Sequence, residues 1–328
     1  MQNDFTHGEI DAQYKARPDL ALFAKSAQRL RNVVVTAVGA VKRRFGTLYT
    51  DRYTDTSFTH LDYFDYDEST KYLLVFRASK IYIYKNDVKV AEVAHTYAHA
   101  IFQNNELKTT RTKNSLVIVH PDYAPAQLIR GATDADWVLS SLIFKNKSAY
   151  DFRRDYNATT FTLSSVAIGN RTLSASQNVF APEHAGGIFI GIGTSEVEQN
   201  GFARITSYIS PSQVNVSVQQ TFGSASLNGN ECYLGEIAWS TARGWPQSAT
   251  FYEGRLVFGG SKALPSTVFM SVSNDFLNFD VGTGQDNDSI QLTIATDAIN
   301  SIKYVVSDRS FQIFTTDGEF VSPQSESL

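Results

Sequence analysis

The 328 residues are 42% apolar and 19% charged, which is enough to bury a core and excludes wholesale disorder. The single cysteine, Cys232, excludes a disulfide framework and any zinc or iron–sulfur site built on cysteines. The net charge of −4 is unevenly divided, because residues 1–50 hold eight basic and four acidic side chains while the remainder is acidic. A basic first segment can contact nucleic acid, but a solvated or subunit-pairing segment is the simpler interpretation.

The first fifty residues are predicted to form an interface segment that contains one helix and one strand. Apolar residues recur three and four positions apart over residues 19–30, which predicts an amphipathic helix with Pro18 in its first turn. The run of three valines at residues 33–35 predicts a strand that turns at Gly39 or Gly46.

Strand patterns dominate from Thr50 onward. Residues 71–76, 80–84 and 88–93 predict three successive strands, and the Asn86-Asp87 pair is typical of a tight hairpin turn. A similar unit recurs over residues 301–321, and partial copies occupy residues 114–129 and 254–271. Repeated antiparallel meanders of this size are typical of β-propeller blades, with a β-sandwich as the alternative. We therefore expect a mostly-β protein with a propeller-like platform in two parts, residues 51–157 and 231–328.

Residues 158–230 interrupt this series of repeated strand units. They are rich in Thr, Ser, Gly and Val and poor in charge, and they contain several short strand patterns. The sequence predicts a separate small β-barrel or sandwich here, inserted into the first fold. Residues 153–155 and 223–230 are the expected linkers.

No pattern of catalytic, cofactor-binding or metal-binding residues stands out. His95 and His99 have a metal-capable spacing only if they lie on a helix, and Asp286-Asn-Asp288 lacks the glycine and closing Glu of a calcium loop. Residues 271–279 resemble the Asp-box turn of sialidase-like propellers, in which the Asp has a structural role. We predict no metal, no cofactor and no catalysis. No apolar run approaches the ~20 residues of a membrane span, so we expect no membrane insertion.

Two stretches of the chain carry a set of motifs in a fixed order. The first stretch comprises Phe5 to Glu9, Arg17 to Leu20, Asn32, Gly39 and Arg43 to Thr47. The second comprises Gly244-Trp245-Pro246, Phe251, Arg255 to Ser261, Pro265, Ser271 to Phe279 and Asp317 to Phe320. Together they resemble the tail nozzle proteins, or tail tubular protein B family, of short-tailed bacteriophages. That family has a Phe-x-x-Gly-Glu start, an Arg-x-Asp, an Arg-Arg-Pro-Gly-Thr turn and later a Gly-Trp-Pro…Arg-Leu-x-Phe-Gly-Gly pattern, and Phe45 stands here where the family usually has proline.

The resemblance implies a structural virion protein. Such proteins form a six-fold ring below the portal and adaptor, contact tail fibres, and let genomic DNA pass transiently through the lumen. The implied location is the virion tail after synthesis in the host bacterial cytoplasm. The alternative function is a carbohydrate-binding or glycoside-cleaving β-propeller at the host surface. The residues expected to serve as interface or structural motifs are Phe5, Gly8, Glu9, Arg17, Asp19, Arg43, Arg44, Gly46, Trp245 and Arg255.

Three of these expectations are specific. Arg43 and Arg44 should hold an acidic surface of a subunit or adaptor, because guanidinium–carboxylate pairs suit such contacts. Trp245 should be either an interface anchor or a core corner that covers the stem of Arg255. Residues 319–321 should leave an open strand edge, so that another polypeptide or a longer gene product completes the propeller.

Overall fold

The computed structural model describes residues 4–152, 156–192, 199–281, 285–295 and 300–322, so the predicted linker at residues 153–155 lies outside it. The chain divides into two compact units, Met1–Thr54 and Asp55–Leu328. The described helices are all short 3-10 turns, and the named strands pair into antiparallel sheets, which confirms the mostly-β class. Among the described residues, no helix is long and apolar enough to cross a membrane.

The first unit contains little regular structure. The predicted helix over residues 19–30 is wrong, because only Phe23–Lys25 forms a 3-10 turn there. Extended pairing replaces the helix: Ala27 N donates to Gly8 O at 2.8 Å, and Ile10 N donates to Ala27 O at 2.9 Å. These bonds use the Ala27 backbone groups that a helix would need for its own ladder.

The strand predicted at residues 33–35 is confirmed. Strand β1 (Val33–Val35) pairs with β2 (Val41–Arg43), and a second 3-10 turn covers Ala12–Tyr14. The hairpin turns at Gly39, whose φ of +81° lies in the left-handed region that favours glycine. Gly46, the other turn candidate, lies beyond the hairpin.

The second unit begins with a four-stranded meander, the first sheet. Asn86 and Asp87 have φ values of 49° and 65°, which confirms the tight turn predicted between its last two strands. The strands are β3 (His60–Asp65), β4 (Lys71–Arg77), β5 (Lys80–Lys85) and β6 (Val88–Ala94).

A second four-stranded meander follows the 3-10 turn His99–Phe102. Phe64 and Phe76 of the first sheet share a buried cluster with Leu116, Leu128 and Trp137 of the second, so the two sheets form one core. The strands of the second sheet are β7 (Lys108–Arg111), β8 (Ser115–His120), β9 (Tyr123–Arg130) and β10 (Trp137–Ser141).

An eight-stranded sheet comes next in the chain and has a hydrophobic core of its own. Phe161 and Leu227 near one end of the sheet and Leu234 near the other pack in this same core, so the sheet curves around it. In spatial order the strands are β11 (Ala149–Tyr150), β18 (Cys232–Ile237), β14 (Ile188–Ile192), β15 (Gln199–Ser210), β16 (Gln213–Gln220), β13 (Gly169–Ala175), β12 (Thr160–Leu163) and β17 (Ser226–Asn228). Two 3-10 turns, Pro182–His184 and Gly229–Glu231, complete it.

Part of the linker predicted at residues 223–230 is wrong. Residues 226–228 form β17, which pairs with β12, and Leu227 is buried in the core of the eight-stranded sheet. The alternation of one apolar residue between polar neighbours was too short to separate this strand from a linker on sequence alone.

The rest of the second unit forms two more meanders, a third sheet of four strands and a fourth of three described strands. Trp239 and three phenylalanines fill the core behind the third sheet, and Val257, Val268 and Ile313 join the third to the fourth. The strands are β19 (Ser248–Tyr252), β20 (Arg255–Gly259), β21 (Thr267–Met270), β22 (Ile290–Thr293), β23 (Ile302–Ser307), β24 (Phe311–Thr315) and β25 (Glu319–Ser322).

The first strands of the four meanders, β3, β7, β19 and β23, contact one another. Asp62 of β3 accepts hydrogen bonds from Thr109 and Arg111 of β7 at 2.6 and 3.0 Å. Lys108 Nζ at the start of β7 donates to the Tyr304 hydroxyl of β23 at 2.8 Å. The Ser248 hydroxyl at the start of β19 accepts from Val305 N at 2.9 Å.

Candidate interface and central cavity

A cavity of about 440 Å³ lies where these four first strands meet. It is lined by the beginnings of β3, β7 and β19 and by residues 304–307 of β23. A second recess of about 400 Å³ shares Asn105, Lys108 and Tyr304 with it. Each of the four meanders thus contributes its first strand to the wall of this cavity.

Charges in the cavity wall are largely matched. The Lys108 ammonium lies 4.3 Å from the centre of the Tyr304 ring, and Asp62 is paired with Arg111. Burial lowers the pKa of His60, which favours its neutral form. Within the described residues no group of three His, Cys, Asp or Glu side chains could hold a metal ion. The hydroxyls and amides of this wall suit hydrogen bonding to water or to a small polar molecule.

The predicted motif residues near the start of the chain hold the first unit together. Phe5 N donates to Gly39 O at 2.9 Å, and the Glu9 carboxylate accepts from Leu30 N at 3.0 Å. Gly8 has a φ of +70°, and its carbonyl accepts from Ala27 N. These contacts join residues 5–9 to residues 27–39, so the Phe-x-x-Gly-Glu motif has a structural role inside the first unit.

Arg17 and Asp19 form a local pair on the surface. The guanidinium donates two hydrogen bonds to the carboxylate, at 2.8 and 2.6 Å, and both side chains are more than half exposed. An exposed pair of this kind adds little to the stability of the fold, because water and salt screen it. The pair is therefore better suited to orienting this surface loop than to stabilising the fold.

Arg43 and Arg44 differ in their surroundings. Arg44 Nε donates to the Asn32 side chain at 3.0 Å, and its Nη1 donates to Phe45 O at 3.2 Å. Arg43 is exposed on β2 and has no ion pair within the described residues. Gly46 follows in an exposed segment without helix or strand, where an added Cβ would meet no atom within 4 Å. Arg43 is thus the more accessible cation for a partner.

Arg255 is 7% exposed and fixes a long connection to β20. Its guanidinium donates to the carbonyl oxygens of Ser271, at 2.7 Å, and of Asp286 and Asp288. The Asp286–Asp288 segment is a polar turn, as the sequence indicated, and its carbonyl oxygens face the arginine rather than a calcium ion. Arg255 therefore binds both ends of the connection between β21 and β22.

Trp245 lies at the edge of the core behind the third sheet. It is partly buried, its backbone N donates to Pro121 O at 2.9 Å, and the Lys147 ammonium lies 5.0 Å from its ring centre. The tryptophan that fills this core is Trp239, which is 0% exposed. Sequence reasoning missed Trp239 because no motif surrounds it.

The two histidines with metal-like spacing lie in separate settings. His95 is buried, and its Nδ1 accepts from Tyr97 N at 3.1 Å. His99 begins the 3-10 turn and stacks on Phe58, with ring centres 5.8 Å apart. In the Asp-box-like turn, the Asp275 carboxylate accepts two hydrogen bonds from Lys145, both at 2.9 Å.

An ion-pair cluster between the first and second sheets was not anticipated from the sequence. Asp134 accepts hydrogen bonds from Lys85 and Arg130, both at 2.8 Å, and from the Tyr72 hydroxyl. These bonds, with that of Lys85 the largest contribution, hold the pKa of Asp134 well below its usual range. Its members lie as far as 62 residues apart in sequence, so only the sheet packing brings them together.

This cluster predicts a pH dependence of stability. A carboxyl whose pKa is lowered by folding stabilises the fold above its unfolded pKa of about 4, and this contribution is lost as the pH falls. The melting temperature of the wild type should therefore fall more steeply below about pH 4 than that of Asp134→Asn. Calorimetry across an acid pH series measures both slopes. Asp308→Asn, in an exposed turn, is the control, and equal slopes for wild type and Asp134→Asn would contradict the prediction.

Comparison of the chain with protein-family models and with curated proteins found no match. The likeness to tail nozzle proteins therefore consists of the motifs quoted above. The structure adds two features: a basic first unit, and four meanders whose first strands line one cavity, with an eight-stranded sheet between the second and third meanders in the chain.

Proposed function

We propose that this chain is a structural protein of a short bacteriophage tail, a nozzle subunit that forms a ring through which genomic DNA is ejected. The proposal treats the four meanders as blades of a propeller-like platform and the eight-stranded sheet as its inserted β domain. The chain would act without cofactor or catalysis, with itself, the adaptor and tail fibres as partners.

The observation that carries the proposal is the arrangement of the four meanders. Each consists of consecutive antiparallel strands, and each places its first strand at the same cavity. Blades of a propeller are arranged in this way around a central channel. The insertion falls between the second and third meanders, at the place where the resemblance to tail nozzle proteins puts a small β domain.

The edge of the fourth sheet fits a role in an assembly. Among the described residues this sheet has three strands, whereas the other three meanders have four, and β25 lies at its edge. An edge strand presents unpaired amides and carbonyls to a strand from elsewhere. We propose that a strand of another polypeptide pairs there.

The charge of the second unit suits passage of DNA. Residues 55–328 carry the negative balance of the chain, while the basic excess lies in the first fifty residues. An acidic wall binds phosphate weakly, because affinity for DNA rises with each phosphate that a cation neutralises. DNA could then slide through a ring of such subunits.

Negative-stain electron microscopy of the purified protein, alone and with portal, adaptor and fibre proteins of the same phage, tests the proposal. We expect six-fold rings, or rings that include the chain once the adaptor is added. A protein that stays monomeric in every mixture would contradict it.

The central cavity favours one second candidate, a carbohydrate-binding or glycoside-cleaving propeller. Its wall offers hydroxyls, amides and the Tyr304 ring, which suit a sugar. Incubation with host polysaccharide separates the two functions. Sugar release or saturable sugar binding by the monomer would support this candidate, and its absence together with ring formation would support the nozzle.

A further inference from the structure

The first unit, called the basic head below and defined as residues 4–54, has almost no interior of its own. Its only buried residues are Ser26 and Gly39, and none of its apolar side chains belongs to a buried hydrophobic cluster. A segment of about 50 residues gains little stability without such a core. The basic head therefore needs a surface on which to bury its apolar side chains.

The exposed apolar side chains of the basic head are concentrated after β1. Val38 is 84% exposed, Phe45 92%, Leu48 76% and Tyr49 75%. Phe45, Leu48 and Tyr49 lie within residues 44–54, which form no helix or strand. Exposed groups of large apolar residues mark surfaces that contact another molecule.

The charged side chains of the basic head that have no ion pair are basic. Its acidic side chains are used within the head: Asp4 pairs with Lys25, Asp19 pairs with Arg17, and Glu9 caps a backbone amide. Several basic side chains have no ion pair within residues 4–54. These are Lys15, Arg29, Arg31, Lys42 and Arg43. The partner should therefore be acidic.

The second unit has an acidic surface at one end of its meanders. Strands β3, β7 and β19 begin at the cavity, and successive turns of an antiparallel meander alternate between its two ends. In the first three sheets, the turns after each first and third strand therefore lie at the end away from the cavity, called the acidic end below. Their described residues are 66–70, 86–87, 112–114, 131–136, 253–254, 271–281 and 285–289, and they carry ten acidic residues and one basic residue.

Ion pairs do not cancel this charge. Asp134, Asp275 and Asp280 are paired with basic side chains from neighbouring elements. Six other carboxylates of the acidic end form no ion pair within the part of the chain that the structure describes: Asp67, Glu68, Asp87, Asp136, Glu253 and Asp286. Phe276 and Val281, 39% and 36% exposed, add apolar surface in the longest of these connections. The acidic end thus offers carboxylates for the unpaired cations of the basic head and apolar surface for its exposed apolar side chains.

We propose that the basic head of one copy docks on the acidic end of a second copy of this chain. The two surfaces differ, so the contact is head-to-tail, and repetition of a head-to-tail contact gives a ring when the rotation closes. Charge complementarity and the exposed apolar side chains both favour this occupant over DNA, which would match the cations but leave Phe45, Leu48 and Tyr49 in water. The inference names the contact that builds the proposed nozzle ring, and it rests on that function only for closure.

Charge reversal on each side tests the contact in the full-length protein. The head variant is Lys42→Glu with Arg43→Glu, and the end variant is Glu68→Lys with Asp286→Lys; all four side chains are exposed. The matched control, Glu183→Lys with Asp317→Lys, makes the same charge change outside both the acidic end and strand β25. Sedimentation velocity at low and high salt measures self-association, and circular dichroism establishes that each variant is folded.

We expect the wild type and the control to associate, more strongly at low salt. Each reversal alone should weaken association at least about tenfold, because it places like charges opposite one another. An equimolar mixture of the head and end variants should restore association, because each then meets an opposite charge. The inference would be overturned if either variant alone associated as strongly as the wild type, or if the mixture of the two stayed dissociated.

The same samples separate this inference from the proposed function. Rings formed by the head variant alone would overturn the head-to-tail contact and leave the nozzle proposal standing. A wild type that never assembles, alone or with adaptor, would overturn both.

Discussion

Replacing Trp239 with alanine is expected to lower the free energy of unfolding by about 3–5 kcal/mol. The indole is fully buried, and its ring centre lies 4.8 Å from that of Phe269 and 5.0 Å from that of Phe279. Removing it leaves a cavity among rings that belong to several different strands and loops, which cannot close around the gap together. Equilibrium urea unfolding followed by circular dichroism measures the change.

Two further variants make this test specific. Trp239→Phe should cost less than Trp239→Ala, because the indole N–H has no hydrogen-bond partner among the described residues and a ring remains in place. Trp245→Ala should cost about 1–2 kcal/mol, since Trp245 lies at the edge of the same core and is only partly buried. A larger loss for Trp245→Ala than for Trp239→Ala would show that the core has been assigned to the wrong tryptophan.

Local patterns predicted the strands because their causes are local. Alternation of apolar residues and the Asn86-Asp87 turn are properties of a few neighbouring residues, and β4, β5 and β6 occur where these patterns place them. The helix over residues 19–30 failed for the opposite reason. Its spacing was helical, but Ala27 pairs with residues 8–10, almost twenty positions earlier, and no local pattern reveals that partner.

The candidate sites depended even more on distant contacts. The sequence singled out Arg43 and Arg255 through their motifs, yet the exposure of one and the burial of the other follow from the packing. The central cavity joins four strands that span residues 60–307, and the acidic end emerges only once the turns are assigned to one end of the meanders. Composition predicted a basic start and an acidic remainder but not where the acidic charge collects.

Replacing Arg255 with methionine is expected to lower the free energy of unfolding by about 3–5 kcal/mol, because the stem remains but three carbonyl acceptors lose their donor. Those oxygens belong to Ser271, Asp286 and Asp288, at the two ends of the connection between β21 and β22. The free energy of unfolding of Arg255→Lys should fall between those of the wild type and Arg255→Met. An ammonium can donate to some of these oxygens, but it lacks the planar fork that reaches all three.

Hydrogen exchange locates the effect of this change. Amides of residues 285–289 should exchange faster in Arg255→Met, because the connection loses the side chain that binds both its ends. Arg309→Met, in an exposed turn of the fourth sheet, is the matched control and should stay within about 0.5 kcal/mol of the wild type. If Arg255→Met is as stable as this control, the carbonyl oxygens find other donors and Arg255 does not hold the connection in place.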